Sequence, residues 1–297
     1  MAHEQLPVVS LHRADGRSVV LGHPRDDVPV ALTFGVEGLG AGPVSFATSP
    51  RLAGHGSVLR GVRVDERELF LPVLLRGATA SEVADTRESL TRFLSPLDAS
   101  MLTLRVAAPG RDTWREITVR YAGGLEGKFS EGYRGVWHRL GLEFKSVDAL
   151  WRGEPVPIEK QVDAAHKPFL SQTVGFFPVV LADSTVAGRI SVDIAGDAPT
   201  PPVWYITPPG EDLLIRNVRT GARFYLSGLL TQQIVVDMEA GRVYEAATGE
   251  NLNHRTSMDT RFFELAPGRQ EIEFSMIGAT SASKLELVYS PRYLAGY

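Results

Sequence analysis

The sequence has 297 residues, a formal net charge of −4, 43% hydrophobic and 22% charged residues, and no cysteine. Such a composition excludes wholesale disorder, and the length suffices for two ordinary domains or one large one with a real core. Without thiols there is no disulfide framework, cysteine zinc site or thiol nucleophile, and the charge balance gives no global field favouring nucleic acid or an anionic membrane.

Met1-Ala2-His3-Glu4-Gln5 shows no basic stretch followed by an apolar run, so no secretory signal is expected. The apolar stretch 176–182 is interrupted by Pro178 and falls far short of the roughly 20 residues that cross a bilayer. A soluble chain made in the cytoplasm, without membrane insertion, is the expectation.

Most of the chain reads as short strands. Residues 8–11 and 18–21 flank Ala14-Asp15-Gly16-Arg17, and an Asp-Gly pair between apolar runs signals a hairpin. Residues 58–64 and 69–75 flank the charged segment Asp65-Glu66-Arg67-Glu68, which reads as a hairpin tip. Thr79 followed three residues later by Glu82 fits a capping box, and Val83, Leu90 and Leu94 share a helical face. That spacing predicts a helix over 80–94, with Pro96 as the stop. Residues 101–106, 114–121 and 136–144 then alternate with the period of two that a half-buried strand requires.

Residues 151–175 are proline-broken and aperiodic, so they read as an irregular linker between a domain over 1–150 and a second over 176–297. In the second, strands are expected at 190–194, 203–207, 213–216, 223–226, 233–237, 242–245, 262–265, 271–276 and 285–289. Turns such as Thr220-Gly221 and Pro267-Gly268 separate them, which is the pattern of an antiparallel β-sandwich. The expected class is mainly β, with two β domains and one helix.

Few residues point to chemistry. The seven histidines are His3, His12, His23, His55, His138, His166 and His254, and none are at the i, i+4 spacing of a helical zinc motif. No Gly-x-Ser-x-Gly elbow occurs. The glycine-rich segment 35–42 and the near P-loop Gly124-Leu125-Glu126-Gly127-Lys128-Phe129 lack the strand-loop-helix setting that a phosphate site needs, and read as loops. Glu271 and Glu273 alternate with Ile272 and Phe274, as on the solvent side of a strand. No catalytic residue, cofactor or metal is expected. Trp204, Tyr205 and Tyr225 are candidate carbohydrate contacts, because aromatic faces stack on sugar rings, although aromatics in strands are more often core.

The order of several weak motifs carries a resemblance. Val36-Glu37-Gly38-Leu39-Gly40, the strand 69–76, the helix with Arg87, Leu90 and Phe93, Arg115-Glu116-Ile117-Thr118-Val119 and the segment 142–151 follow one another in the first half. Asn217-Val218-Arg219-Thr220-Gly221, Val235-Val236-Asp237, Leu265-Ala266-Pro267-Gly268 and Tyr289-Ser290-Pro291-Arg292-Tyr293 follow in the second. In that succession the chain resembles the phage distal tail protein family of long-tailed, non-contractile phages. Ala149, where the family often has proline, is a departure. The resemblance implies an N-terminal barrel- or sandwich-like ring domain and a C-terminal galectin-like sandwich. It implies a non-enzymatic virion protein, a homohexameric hub at the distal end of the tail, assembled in the host cytoplasm. Its implied partners are the tail tube protein, the tail-tip or tail-associated protein and receptor-binding proteins, with no recognition of nucleic-acid sequence. A sandwich that itself contacts host wall carbohydrate is the alternative. A ring closes through one heterologous interface repeated around it, and that interface is expected within residues 1–150.

Overall fold

The computed structural model describes residues 7–95, 97, 98, 100–126, 133–161, 185–280 and 282–297. The chain forms two compact units, Met1–Glu154 together with Tyr293–Tyr297, and Pro155–Arg292. Of the expected linker, Trp151–Gly153 and Val156–Gln161 are strands, and 162–175 lie outside the described residues. The same holds for Pro96, His3, His166 and residues 127–129 of the near P-loop.

In the first unit β1 (Val8–Arg13), β2 (Ser18–Leu21), β3 (Val30–Leu32), β4 (Val44–Pro50), β5 (Ser57–Val64) and β6 (Arg67–Arg76) precede α1 (Ala80–Leu94). After it come β7 (Leu102–Ala107), β8 (Trp114–Gly123), β9 (Trp137–Ser146) and β10 (Trp151–Gly153). The main sheet runs β2-β1-β7-β8-β9-β6-β3, with β10 on β8. Its two ends meet through a parallel bridge between Gly22 and Ala31. There the Gly22 amide donates to the Val30 carbonyl (3.1 Å), and the Gly22 carbonyl accepts from the Leu32 amide (2.8 Å). The sheet is therefore a nearly closed barrel, which leaves little free edge.

Alternation fills the barrel. Leu69, Leu71, Val73 and Leu75 of β6 and Leu102, Leu104 and Val106 of β7 point inward, and Val83, Leu90, Phe93 and Leu94 of α1 join the same core. The helix starts where its cap is made. The Thr79 hydroxyl accepts from the Glu82 amide (3.2 Å), and Glu82 reaches back to accept from the Ala78 amide (2.7 Å). At the other end Arg13 donates to the Phe93 carbonyl, placing a cation where the helix dipole favours one. Thr79→Ala removes an N-cap acceptor and is expected to cost about 1 kcal/mol, read as a lower urea midpoint at unchanged slope.

One expected hairpin does not form. β5 pairs with β4, and β6 pairs with β9 and β3, so Asp65 and Glu66 join two sheets instead of closing one hairpin. The reason is in the side chains. β6 sends alternate leucines into the barrel, whereas β5 has no comparable buried set.

The second unit contains β11 (Val156–Gln161), β12 (Thr185–Ile194), β13 (Val203–Thr207), β14 (Gly210–Asn217) and β15 (Arg223–Leu230). β16 (Ile234–Asp237), β17 (Arg242–Glu245), β18 (Gly268–Ile277) and β19 (Lys284–Tyr289) complete it. One sheet runs β11-β19-β13-β16-β17 and the other β12-β18-β14-β15. Both are antiparallel and enclose one core that includes Trp204, Ile206, Phe224, Ile272 and Leu287. The strand expected at 262–265 is reduced to a single bridge from Leu265 to Thr200.

Candidate functional site

The aromatic trio does not make a platform. Trp204 is 0% exposed, at the centre of the sandwich core, and this corrects its reading as a sugar contact. Alternation explains the placement, because Trp204 and Ile206 face inward on β13 while Tyr205 faces out. On β15 it is likewise Phe224 that is buried and Tyr225 that is half-exposed. Tyr205 and Tyr225 therefore sit on the outer faces of two different sheets, too far apart in the layering to clasp one ring. The Tyr225 phenol is shifted upward, first by burial and then by the neighbouring Asp212 carboxylate.

The motif-like loops are already occupied by the chain's own groups. In 35–42, Gly38 has φ +85° and an added Cβ would lie 2.2 Å from the Glu68 carbonyl oxygen, so the glycine serves close packing. The Gly124 amide donates to the Glu126 carboxylate (2.8 Å) and the Leu125 amide to the Tyr121 hydroxyl (2.9 Å). Bonds from the backbone amides of Glu126 itself and of Gly124 hold the Glu126 carboxyl below the usual carboxylate range. Glu271 and Glu273 lie on the outer sheet face beside Arg189, with Arg189 Nη1 3.5 Å from Glu271 Oε2. His138 is buried inside the barrel and His12 lies on β1, and burial lowers both from the ordinary imidazole value. Among the described residues no group of three His, Asp or Glu side chains is placed to hold a metal ion, and no helix is long and apolar enough to cross a membrane.

The organising polar residue of the first unit is Arg67, which sequence reading had placed at a hairpin tip. It is 2% exposed, and among the described residues its bonding partners are main-chain carbonyls. Its Nη1 donates to the carbonyls of Gly40 (2.8 Å) and Gly38 (3.2 Å), and its Nη2 to those of Ala149 (2.7 Å) and Leu294 (3.2 Å). The guanidinium also lies 5.6 Å from the Trp151 ring centroid. Burial lowers its pKa from the ordinary arginine value. One side chain thus ties the glycine-rich loop, the strand exit after β9 and the chain's last residues together. The Gly296 amide adds a bond to the Leu39 carbonyl (2.7 Å), and Arg115 donates to the Ala295 carbonyl (2.8 Å).

The surface best suited to a function is the ribbon β4–β5. It is a separate two-stranded sheet with no further strand on either side among the described residues. Pairing places Val44 opposite Val64 and Phe46 opposite Val62 on one face, with Leu59 following beyond a bulge at Ala47/Thr48. The other face carries Ser45, Ser49, Arg60 and Arg63, which bond one another and Asp65: Arg60 to Ser49 (3.3 Å), Ser45 to Asp65 (3.1 Å) and Arg63 to Asp65 (2.8 Å). The bonds from Arg63 and then Ser45 depress the Asp65 carboxyl. The apolar face is uncovered, with Phe46 62% exposed and Val62 59% exposed. Residues 44–64 contain three arginines and no carboxylate. Since the whole chain sums to −4, the remainder carries −7 on the same count (−4 minus +3).

The outer face of β6 is the second unusual surface. Its outward positions are Glu68, Phe70, Pro72, Leu74 and Arg76, whereas β9 opposite presents Trp137, Arg139, Gly141, Glu143 and Lys145. The Phe70 ring lies over the Gly141 backbone, where an added Cβ would be 2.5 Å from it. Glu37 and Glu143 pair with Phe70 from either side, so two exposed carboxylates flank a half-exposed ring. A cleft of about 370 Å³ runs there, lined by Glu37, Glu68, Phe70, Glu143 and Lys145.

Neither surface was singled out by sequence reading. β4 hides between Pro43 and Pro50 among small polar residues. The usable signal was the pairing of Val44 and Phe46 with Val62 and Val64 over a stretch free of carboxylates.

Residues 195–293 match the family model of the siphovirus-type tail component, C-terminal domain, SPP1_Dit. No curated protein sequence matches. Among solved structures the Dit protein of phage SPP1, described as a paradigm of the hub adsorption apparatus of phages infecting Gram-positive bacteria, aligns with a TM-score of 0.66 at 14% identity. That alignment covers 96% of this chain and 99% of the SPP1 chain. Chains of the phage P2 baseplate in its activated conformation with calcium and with strontium align with TM-scores of 0.52 and 0.51 at 9% identity, each covering 93% of this chain and 99% of the other. Residues 195–293 thus resemble the C-terminal domain of the siphovirus-type tail component, and the chain along nearly its whole length shares the fold of the SPP1 Dit protein.

Proposed function

We propose that this protein is a structural component of a phage tail, a distal-tail hub that closes into a homohexameric ring. It would join the tail tube to the tail tip and its receptor-binding proteins at the distal end of the virion, after assembly in the host cytoplasm. The observation that carries this is the match of residues 195–293 to the tail component family within a fold that aligns end to end with a hub protein. The ribbon β4–β5 supports it. A two-stranded ribbon with an uncovered apolar face is marginal on its own and gains stability when another surface covers it. The role is mechanical rather than catalytic, resting on interfaces instead of a reacting centre. A carbohydrate-binding sandwich is less favoured, because Trp204 is core and Tyr205 and Tyr225 face apart.

Co-expression with the tail tube protein of the same virion tests the reading. A complex that copurifies at fixed stoichiometry, with the hub at one end of the tube in negative-stain images, is expected. A chain that never associates with tube or tip proteins contradicts it.

A further inference from the structure

We propose that residues 293–297 are a clasp that completes the first unit only after the second has been made, so that a chain interrupted before residue 293 has no finished first unit. Tyr293–Tyr297 belong to the first unit, yet the whole of Pro155–Arg292, the second unit, separates them from it in sequence. The Tyr293 ring packs on the barrel core, with the guanidinium carbon of Arg115 3.7 Å from its centroid. The Leu294 carbonyl accepts from Arg67 (3.2 Å) and the Ala295 carbonyl from Arg115 (2.8 Å). The Gly296 amide donates to the Leu39 carbonyl (2.7 Å). Gly296 itself is buried against Trp151, where an added Cβ would lie 2.9 Å from the indole ring. One short segment thus bridges β6, β8, β10 and the glycine-rich loop, which are far apart in the chain but adjacent in the barrel.

The clasp covers groups that are costly to uncover. Trp151 is 0% exposed and Arg67 2% exposed with it in place. Without it Arg67 and Arg115 each lose a carbonyl, and hydrogen bonds to charged groups are the stronger kind. Timing makes this a device rather than a detail. Domains generally fold as units in the order of their synthesis, and at about 5–20 residues per second residues 155–297 take roughly 7–30 s to emerge. Small domains fold within microseconds to seconds, so the first unit waits for its clasp and not for its own folding. A folded second unit holds its own ends at a fixed separation, which lowers the loop-closure entropy that the clasp must overcome. In a ring of repeated identical contacts one unfinished copy interrupts closure, so the clasp keeps interrupted chains out; this consequence alone rests on the ring reading.

The test ends the chain at Arg292, and separately sets a side chain against Trp151 with Gly296→Val in the full chain. Both are compared with the wild type by hydrogen exchange. Without the clasp, amides of β6, β8 and β9 are expected to exchange roughly 30-fold faster or more, as the loss of three bonds, two of them to arginines, implies. Gly296→Val is expected to speed the same amides by a smaller factor, and amides of β13 and β18 are expected to exchange as in the wild type. Chains arrested on the ribosome read the order directly. With residue 297 clear of the exit tunnel the first unit is expected to resist a protease pulse, and with only residue 292 clear it is expected to be cut. Equal resistance at the two lengths overturns the clasp, as does a shortened chain whose first unit exchanges within about threefold of the wild type. Protection lost equally from both units overturns it as well. Light scattering on mixtures reads the consequence: the shortened chain is expected to stay out of assemblies that the full chain forms. A full chain that forms no assembly, alone or with its tube protein, removes the ring reading and leaves the exchange and protease results to decide the clasp.

Discussion

Arg67→Ala is expected to destabilise the first unit by about 3–5 kcal/mol, the cost of taking the shared donor from four carbonyls once the surroundings have relaxed. The arginine spans carbonyls from residues as distant as Gly38 and Leu294. Alanine leaves four carbonyl oxygens without that donor and opens space beside the Trp151 ring. Each hydrogen bond to a charged group contributes about 1.5–3 kcal/mol before the surroundings relax, so even partial rescue by water leaves a large loss. Arg67→Lys is expected to recover less than half. An ammonium is a compact point donor and does not reach carbonyls that a planar fork serves from two nitrogens. Urea melts should show a lower midpoint at unchanged slope. Hydrogen exchange should show early loss of protection at the Gly296 amide, whose bond to Leu39 lies beside the network. A loss under about 1 kcal/mol would mean that the guanidinium is bystander packing.

Trp204→Ala is expected to cost the second unit about 3–5 kcal/mol, as for other fully buried large aromatics. The side chain is 0% exposed and packs among residues of both sheets. Its indole Nε1 has no hydrogen-bond partner among the described residues. Trp204→Phe therefore loses volume but also removes a buried N–H that is costly to leave unmade, and about 1–2 kcal/mol is expected. Tyr205→Ala and Tyr225→Ala, on outer faces, should each stay within about 1 kcal/mol. Calorimetry that resolves the two units should move only the second unit's transition in Trp204→Ala. A variant that melts like the wild type yet loses affinity for a glycan would reinstate Trp204 as a contact residue and contradict the core assignment.

The helix and most strands are legible in the sequence because each has a local physical signature. Thr79 and Glu82 announce the cap, and Leu69, Leu71, Val73 and Leu75 or Leu102, Leu104 and Val106 announce inward faces. Trp204 and Phe224 could not be told from surface aromatics without register, since one step along a strand reverses the face. Arg67 was unreadable for another reason. Its partners are main-chain carbonyls brought from residues 38, 40, 149 and 294, and no side-chain pattern encodes that meeting. The partnership of β5 with β4 was equally hidden. Proximity in sequence favoured β6, and only the demand of the barrel for β6 sends β5 elsewhere.

The mass of the purified chain in solution, by light scattering coupled to size exclusion with negative-stain images of the same peak, tests the central claim most directly. Six copies in a ring around an open channel is the expected result. A monomer that gains no ring on addition of its tail tube protein would contradict the hub assignment.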